Sequence, residues 1–201
     1  MDTVIIDSGG ANLASLQFAL ERLGVRACVS ADAREIAAAA RVVLPGVGSA
    51  ADAMRRLRRS GLAQLLPALR QPVLGICLGM QLLFERSAEG ATECLGVLPG
   101  TVRRLEAARG RPVPHMGWNQ LLEPRADPLL AGIEPGEYFY FVHGYAVSAP
   151  EVTLAEAQYG EAFSAVVRRG NFWGTQFHPE RSASAGARLL DNFLKLSSPC
   201  C

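Results

Sequence analysis

Short apolar runs alternate with amphipathic stretches along the first eighty residues. TVIID (3–7), RACVS (26–30), RVVLP (41–45) and PVLGI (72–76) read as strands, and the stretches near 12–23, 32–39 and 50–60 as helices. Strands apolar at successive positions are buried on both faces, which predicts a parallel sheet covered by helices. The second half changes rhythm. TVRRLE (101–106), EYFYFV (137–142), EVTLAEA (151–157), SAVVRR (164–169) and NFWGTQF (171–177) follow with few helices between them, predicting antiparallel strands appended to that sheet. An amphipathic helix near 183–196 comes last, and the Ala-rich stretch 37–40 reads as helix. No repeat or low-complexity linker interrupts the pattern, so one domain over 1–201 is expected. In open parallel sheets ligands bind beyond the carboxyl ends of the strands, so the loops after strands are where chemistry is sought.

A chain of 201 residues builds a sizeable core without disulfide or metal staples. Lys plus Arg (20) nearly balance Asp plus Glu (19), so no global field favours nucleic acid or an anionic membrane, and a small neutral or zwitterionic substrate fits better. The basic run Arg55–Arg59 (RRLRR) lacks interleaved aromatics and reads as a solvated helix face. No basic leader precedes an apolar core at the start, and no run reaches the roughly 20 apolar residues of a membrane span, so a soluble, cytoplasmic protein is expected. The five cysteines (Cys28, Cys77, Cys94, Cys200, Cys201) form no CxxC pattern and no metal-ligand spacing with the three histidines. Reduced thiols and no metal are expected, with Cys200 and Cys201 in an exposed tail.

The sharpest local signal is Gly75-Ile76-Cys77-Leu78-Gly79, directly after an apolar strand and before the helical run MQLLFER. It has the form of a nucleophile elbow with Cys in the nucleophile's place. Flanking glycines permit a sharp turn, and the first N–H groups of the helix favour a thiolate and place the Leu78 N–H as an oxyanion donor. A buried structural cysteine in a tight turn is the competing reading. The second signal is Gln176-Phe177-His178-Pro179-Glu180, about a hundred residues later. A Cys nucleophile needs a base and a group that orients it; His178 and Glu180 supply both, with Pro179 limiting their relative placement. Leu44-Pro45-Gly46-Val47-Gly48-Ser49-Ala50 is either an ordinary turn or a backbone-donor loop facing Cys77; it lacks the spacing of a phosphate loop. Ser8-Gly9-Gly10-Ala11 likewise lacks GxGxxG. His115 and His143 are rival bases without an adjacent carboxylate, otherwise structural or interface histidines.

PGVGSA, GICLGMQLL and QFHPERS, in this order, resemble the class I (Cys-His-Glu) glutamine amidotransferases over nearly the whole chain. IIDSGGANLASLQFALERLG, PHMGWN and YFYFVHGY are similar to the glutaminase subunits of imidazole glycerol phosphate synthases. The resemblance implies a three-layer, flavodoxin-like α/β fold, no metal or organic cofactor, and a heterodimer with a cyclase subunit that is a (β/α)8 barrel. It implies Cys77, His178 and Glu180 as catalytic residues and places L-glutamine near Gly46, Val47, Gly48, Leu78, Gln81, Glu89 and the Gly144-Tyr145 backbone, with Gln81 and Glu89 on or just beyond the helix opened by Cys77. The ammonia released would pass to the partner for histidine biosynthesis. Two positions depart from the family pattern: Gly144 stands where Ser is usual, and Arg181 where many relatives have Lys. Arg181 and Trp118 are expected on the docking face, near loops at the carboxyl edge of the sheet. A glutaminase serving another synthase, such as that of the pyridoxal phosphate pathway, is disfavoured by PHMGWN and FVHGY. A catalytically silent protein keeping Cys77 as a redox-sensitive thiol is disfavoured by His178 with Glu180.

Overall fold

The computed structural model describes residues 2–7 and 13–197. The Ser8–Ala11 segment and the Cys200–Cys201 tail lie outside the described residues. The first half runs β1 (Thr3–Ile6), α1 (Leu13–Arg22), β2 (Cys28–Ser30), α2 (Ala33–Ala38), β3 (Arg41–Gly46), α3 (Ala50–Arg59), α4 (Leu62–Leu65), β4 (Val73–Cys77) and α5 (Leu78–Leu82). Helix starts follow their caps: the Asp32 side chain accepts from Arg34 and Glu35 N–H groups, and the Ser49 side chain from that of Asp52. The basic face of α3 finds local partners, Arg55 pairing with Asp52 and Arg58 donating to the Glu93 carbonyl, as a solvated face should.

The second half contains β5 (Phe84–Ser87), β6 (Thr92–Glu93), β7 (Leu98–Arg104), β8 (His115–Gln120), β9 (Tyr138–His143), β10 (Tyr145–Ala146), β11 (Thr153–Tyr159), β12 (Glu161–Arg169), β13 (Phe172–Thr175) and α6 (Ala183–Lys195). The main sheet has the order β11-β12-β13-β4-β3-β1-β2. Its members from β13 to β2 are parallel, and β12 and β11 are antiparallel additions at one edge. Val4 and Ile6 face one core with Met54, Leu57 and Leu62; Ile5 faces the other with Leu16, Leu20, Leu190 and Phe193. Helices therefore cover both faces, and the expected three-layer α/β architecture is present.

Three expectations are corrected. NFWGTQF is antiparallel to β12 as expected, but a tight turn from β12 brings it back alongside β4, to which it is parallel, so it joins the parallel part of the sheet. TVRRLE and EYFYFV belong to separate sheets, β10-β7-β5-β6 and the β8-β9 ribbon. The helical run MQLLFER stops at Leu82, and FERS pairs as β5 with β7 and β6, burying Phe84 in the core beside Leu98. Among the described residues no helix is long and apolar enough to cross a membrane.

Candidate functional site

Cys77 ends β4 and caps α5 with φ 54° and ψ −112°, a positive-φ conformation that costs about 1–3 kcal/mol for a residue with a side chain. The surrounding glycines explain how the turn closes. A Cβ on Gly79 would run into the Leu44 carbonyl of β3, and one on Gly75 would sit 2.8 Å from Gly79 and Met80 backbone atoms. Without these methyl groups α5 lies directly on β3 and β4, and Gly46 pairs with Cys77 across the parallel ladder. The Gly46–Gly48 loop is thereby brought beside the thiol.

His178 leaves the end of β13, held by its N–H to the Tyr140 carbonyl at 2.9 Å. Pro179 then opens a single 3-10 turn, Pro179–Arg181, which swings Glu180 back so that its Oε1 lies 2.8 Å from Nδ1 of His178. Ser182 fixes the turn by donating to the His178 carbonyl at 2.7 Å and accepting from the Tyr140 N–H at 2.9 Å. Cys77 lines the same cleft and is the other group that acts on the imidazole. Burial opposes charge on His178, but the hydrogen bonds to Cys77 and Glu180 and the charges of both outweigh it, pushing the imidazole up to about 10. Oε2 of Glu180 is buried with no hydrogen-bond partner among the described residues, so that carboxylate depends on His178 for compensation.

Cys77 and His178 open into a cleft of about 400 Å³ bounded by Gly46, Val47, Gly48, Leu78, Gln81, Glu89, His143, Gly144 and Tyr145. That volume suits a small molecule. All the residues expected around the substrate line this cleft, with Gln81 on α5 and Glu89 beyond it, in a 3-10 turn after β5. Its Oε2 accepts from the Ala50 N–H at 2.7 Å, tying it to the end of the Gly46–Gly48 loop. Gly144 has an ordinary backbone conformation, and a Cβ there would meet only Val113 at 3.6 Å.

The rival histidines form a pair instead. The Tyr145 carbonyl can only accept, so Nδ1–H of His143 donates to it at 2.8 Å, and His143 Nε2 then accepts from His115 Nδ1–H at 3.0 Å. Burial pushes His143 down to about 4 against the raising effect of the Tyr145 contact, with the charges of His115 and His178 lowering it further. Burial also lowers His115. Both are neutral near pH 7, and neither touches a carboxylate in the way His178 does.

Trp118 stands on β8, not in a loop, and is half exposed. Its ring meets the edge of Tyr140 at 6.0 Å, while the Arg181 guanidinium lies 4.6 Å over the same Tyr140 ring. The two residues therefore share one face, with Met116 and Tyr138 exposed nearby on the same ribbon. One neighbour of the thiol has no role assigned from the sequence although it opens the Gln176–Glu180 motif: Gln176, fully buried, directs Nε2 at Cys77 Sγ over 3.8 Å. Cys28 and Cys94 are free thiols away from this cleft, and burial pushes Cys94 up to about 11. Among the described residues no group of three or more His, Cys, Asp or Glu is arranged to hold a metal ion.

The class-I glutamine amidotransferase family matches residues 4–196. An imidazole glycerol phosphate synthase subunit HisH from Xanthomonas euvesicatoria pv. vesicatoria (strain 85-10) is 57% identical over 198 residues, covering 98% of this chain and 99% of the relative. One from Xylella fastidiosa (strain Temecula1 / ATCC 700964) is 54% identical, covering 98% of each. A crystal structure of a glutamine amidotransferase superimposes with a TM-score of 0.75 at 22% identity over 97% of this chain and 98% of that one, which speaks to the fold. A glutamine amidotransferase from Thermotoga maritima gives 0.66 at 17% identity over 96% and 82%. The chain belongs to the class-I glutamine amidotransferases and, within them, to the family of imidazole glycerol phosphate synthase subunits HisH.

Proposed function

We propose that the chain hydrolyses L-glutamine to L-glutamate and ammonia through a thioester on Cys77, and passes the ammonia to a docked cyclase subunit for histidine biosynthesis. The observation that carries this reading is His178 held between Cys77 and Glu180 at the floor of the cleft. His178 takes the Cys77 proton while Glu180 fixes its orientation. Sγ attacks the side-chain amide carbon, and the carbonyl π pair moves onto oxygen. The Leu78 N–H, which has no intrahelical partner at the start of α5, and an N–H of the Gly46–Gly48 loop receive that oxyanion, each donor worth about 3 kcal/mol. The C–N bond then breaks, with His178 returning its proton to the leaving nitrogen. Ammonia departs and a γ-glutamyl thioester remains.

Acylation removes the negative charge and the hydrogen bond of Cys77, two of the four influences that hold the His178 imidazole up. Its proton affinity falls, and it can take a proton from water as that water attacks the thioester. The C–S bond breaks and glutamate leaves. Gln81 supports substrate placement: both its N–H groups are engaged, by the Tyr145 carbonyl and the Gln176 Oε1 at 2.9 Å each, so Oε1 remains to accept from the substrate α-ammonium beside Glu89. The Gly144-Tyr145 segment lines the cleft beside Gln81.

A second cavity of about 140 Å³ shares Gly46, Val47, Val142 and His178 with the cleft and extends to Glu180 and Arg181. This supports delivery of ammonia toward the face bearing Arg181 and Trp118, where the cyclase, a (β/α)8 barrel by family resemblance, docks as a heterodimer. Glutamate release and labelling by an electrophilic glutamine analogue, measured with the cyclase present, test the reading. Cys77→Ala abolishes both and keeps the fold. Labelling that persists at Cys28 or Cys94 in that variant overturns the assignment.

A further inference from the structure

The buried amide of Gln176 is the feature that the mechanism above leaves without a task. It is fully buried at the end of β13, beside a thiol and not beside solvent. A polar side chain in that position needs partners, and its orientation follows from theirs. Gln81 presents an NH2 group that donates to the Tyr145 carbonyl and to Oε1 of Gln176, each at 2.9 Å. The Tyr145 carbonyl can only accept, so Gln81 cannot turn its oxygen toward it, and Gln176 must therefore offer its own oxygen to Gln81. The Gln176 NH2 group is left facing Cys77 Sγ at 3.8 Å.

We infer that Gln176 is a positioning residue for the nucleophile: Gln81 locks its amide so that an N–H points at Cys77 Sγ and holds the sulfur as an acceptor. The contact complements the others made by the sulfur. The Val142 carbonyl, 3.7 Å from Sγ, can accept only from the protonated thiol, and His178 exchanges the proton. An N–H donor favours the deprotonated sulfur, since a thiolate accepts hydrogen bonds far better than a thiol. Because Gln81 also borders the substrate cleft, the same amide links the substrate wall to the attacking atom.

The inference rests on the reading of Cys77 as nucleophile, and its test is separable from that reading. The ionisable groups that share the cleft with Cys77 are His178 with Glu180 behind it, His143, Tyr145 and Glu89; all remain in a Gln176 variant. The pH dependence of Cys77 alkylation by iodoacetamide is measured on the full chain, wild type, Gln176→Met and Gln176→Glu, with thermal unfolding as a control on the fold. Loss of the donor moves the alkylation midpoint up by about one pH unit and lowers kcat in the cyclase complex about 10-fold to 100-fold. Gln176→Glu, which keeps an oxygen for Gln81 but sets a carboxylate against sulfur, moves the midpoint further. A lowered unfolding temperature with an unmoved alkylation profile in both variants makes Gln176 merely structural and overturns the inference. If the variants do not fold, the side-chain amide protons of Gln176 in the unsubstituted chain are followed by NMR. Their resonances move with Cys77 deprotonation and revert on alkylation; indifference to both overturns the inference. A Cys77→Ala variant that still hydrolyses glutamine defeats the nucleophile reading instead, whatever the Gln176 profile.

Discussion

The carboxylate of Glu89 accepts a hydrogen bond from the Ala50 N–H, 39 residues away in sequence, at 2.7 Å. One side chain on the cleft wall is thereby fastened to the first residue of α3, immediately after the Gly46–Gly48 loop. If Glu89 binds the α-ammonium with its second oxygen, substrate recognition and loop position are coupled through one group. Glu89→Gln keeps an oxygen for Ala50 but loses the charge, so KM for glutamine rises about tenfold or more while kcat stays near wild type. Glu89→Ala frees the loop as well and lowers kcat. Steady-state glutamate release in the cyclase complex checks both, and equal kcat values for the two variants remove the coupling.

Glu180 supports the charged form of His178 from the side opposite Cys77. Its raised imidazole contributes stability that is fully present below about 6.5 and is lost as pH rises through about 10. Glu180→Gln removes a raising charge, so the His178 imidazole titrates at lower pH than in the wild type and kcat falls. NMR titration of the His178 ring measures the shift; an unchanged titration shows that Glu180 does not set the charge.

His143 has the opposite sign. It is neutral in the fold and pushed down to about 4, so its contribution is present above about 6.5 and lost as pH falls toward 4. For a group buried this deeply the loss amounts to about 3 kcal/mol. His143→Gln keeps a donor for the Tyr145 carbonyl without a titrating ring, and is expected to flatten the acid limb of a stability-versus-pH curve. Urea unfolding between pH 4 and 7 is the measurement.

Much of the site is legible in the sequence because close backbone approach leaves a record in glycine. Gly75 and Gly79 bracket Cys77 at the spacing the elbow requires, and Pro179 between His178 and Glu180 marks a turn that can fold back on itself. Features set by distant pairing leave no such record. The direction of β13 depends on its neighbours β4 and β12, and β5 ends a helix because Phe84 is needed in the core beside Leu98. The Glu89–Ala50 and Gln81–Gln176 contacts join residues 39 and 95 positions apart, the first from a backbone N–H to a side chain and the second between two side chains, and all of them look ordinary in their own segments.

Gly144 lies in the cleft wall with room for a larger residue. Gly144→Ser meets no backbone penalty there, so it is expected to stabilise the fold by about 0.4–1 kcal/mol through the unfolded chain and to lower KM for glutamine by restoring a hydroxyl. Thermal unfolding and steady-state kinetics test the two effects independently. A rise in KM would show that the hydroxyl obstructs the substrate.

Gly48 sits at φ +88°, where a residue with a Cβ is strained. If partner docking selects between orientations of the Gly46–Gly48 loop, the isolated chain hydrolyses glutamine slowly, and the cyclase with its substrate accelerates it about a hundredfold or more. Gly48→Ala biases that choice and reduces the ratio of complexed to isolated activity. Glutamate release by the chain alone, with cyclase, and with cyclase plus substrate measures the ratio; full activity from the chain alone refutes the switch.

The elbow around Cys77 is an approach of backbone to backbone, with Gly46, Gly75 and Gly79 closing on Leu78, Met80 and Leu44 atoms. For anyone reshaping the cleft to accept a different amide, this divides the site into two kinds of material. The floor admits no added methyl at those three glycines, so a design must leave it untouched. The Glu89–Ala91 turn and the Gly144-Tyr145 segment form a rim outside that close approach, with room for a Cβ at Gly144, and there the lining can be rewritten while the Cys77 thiol keeps its place.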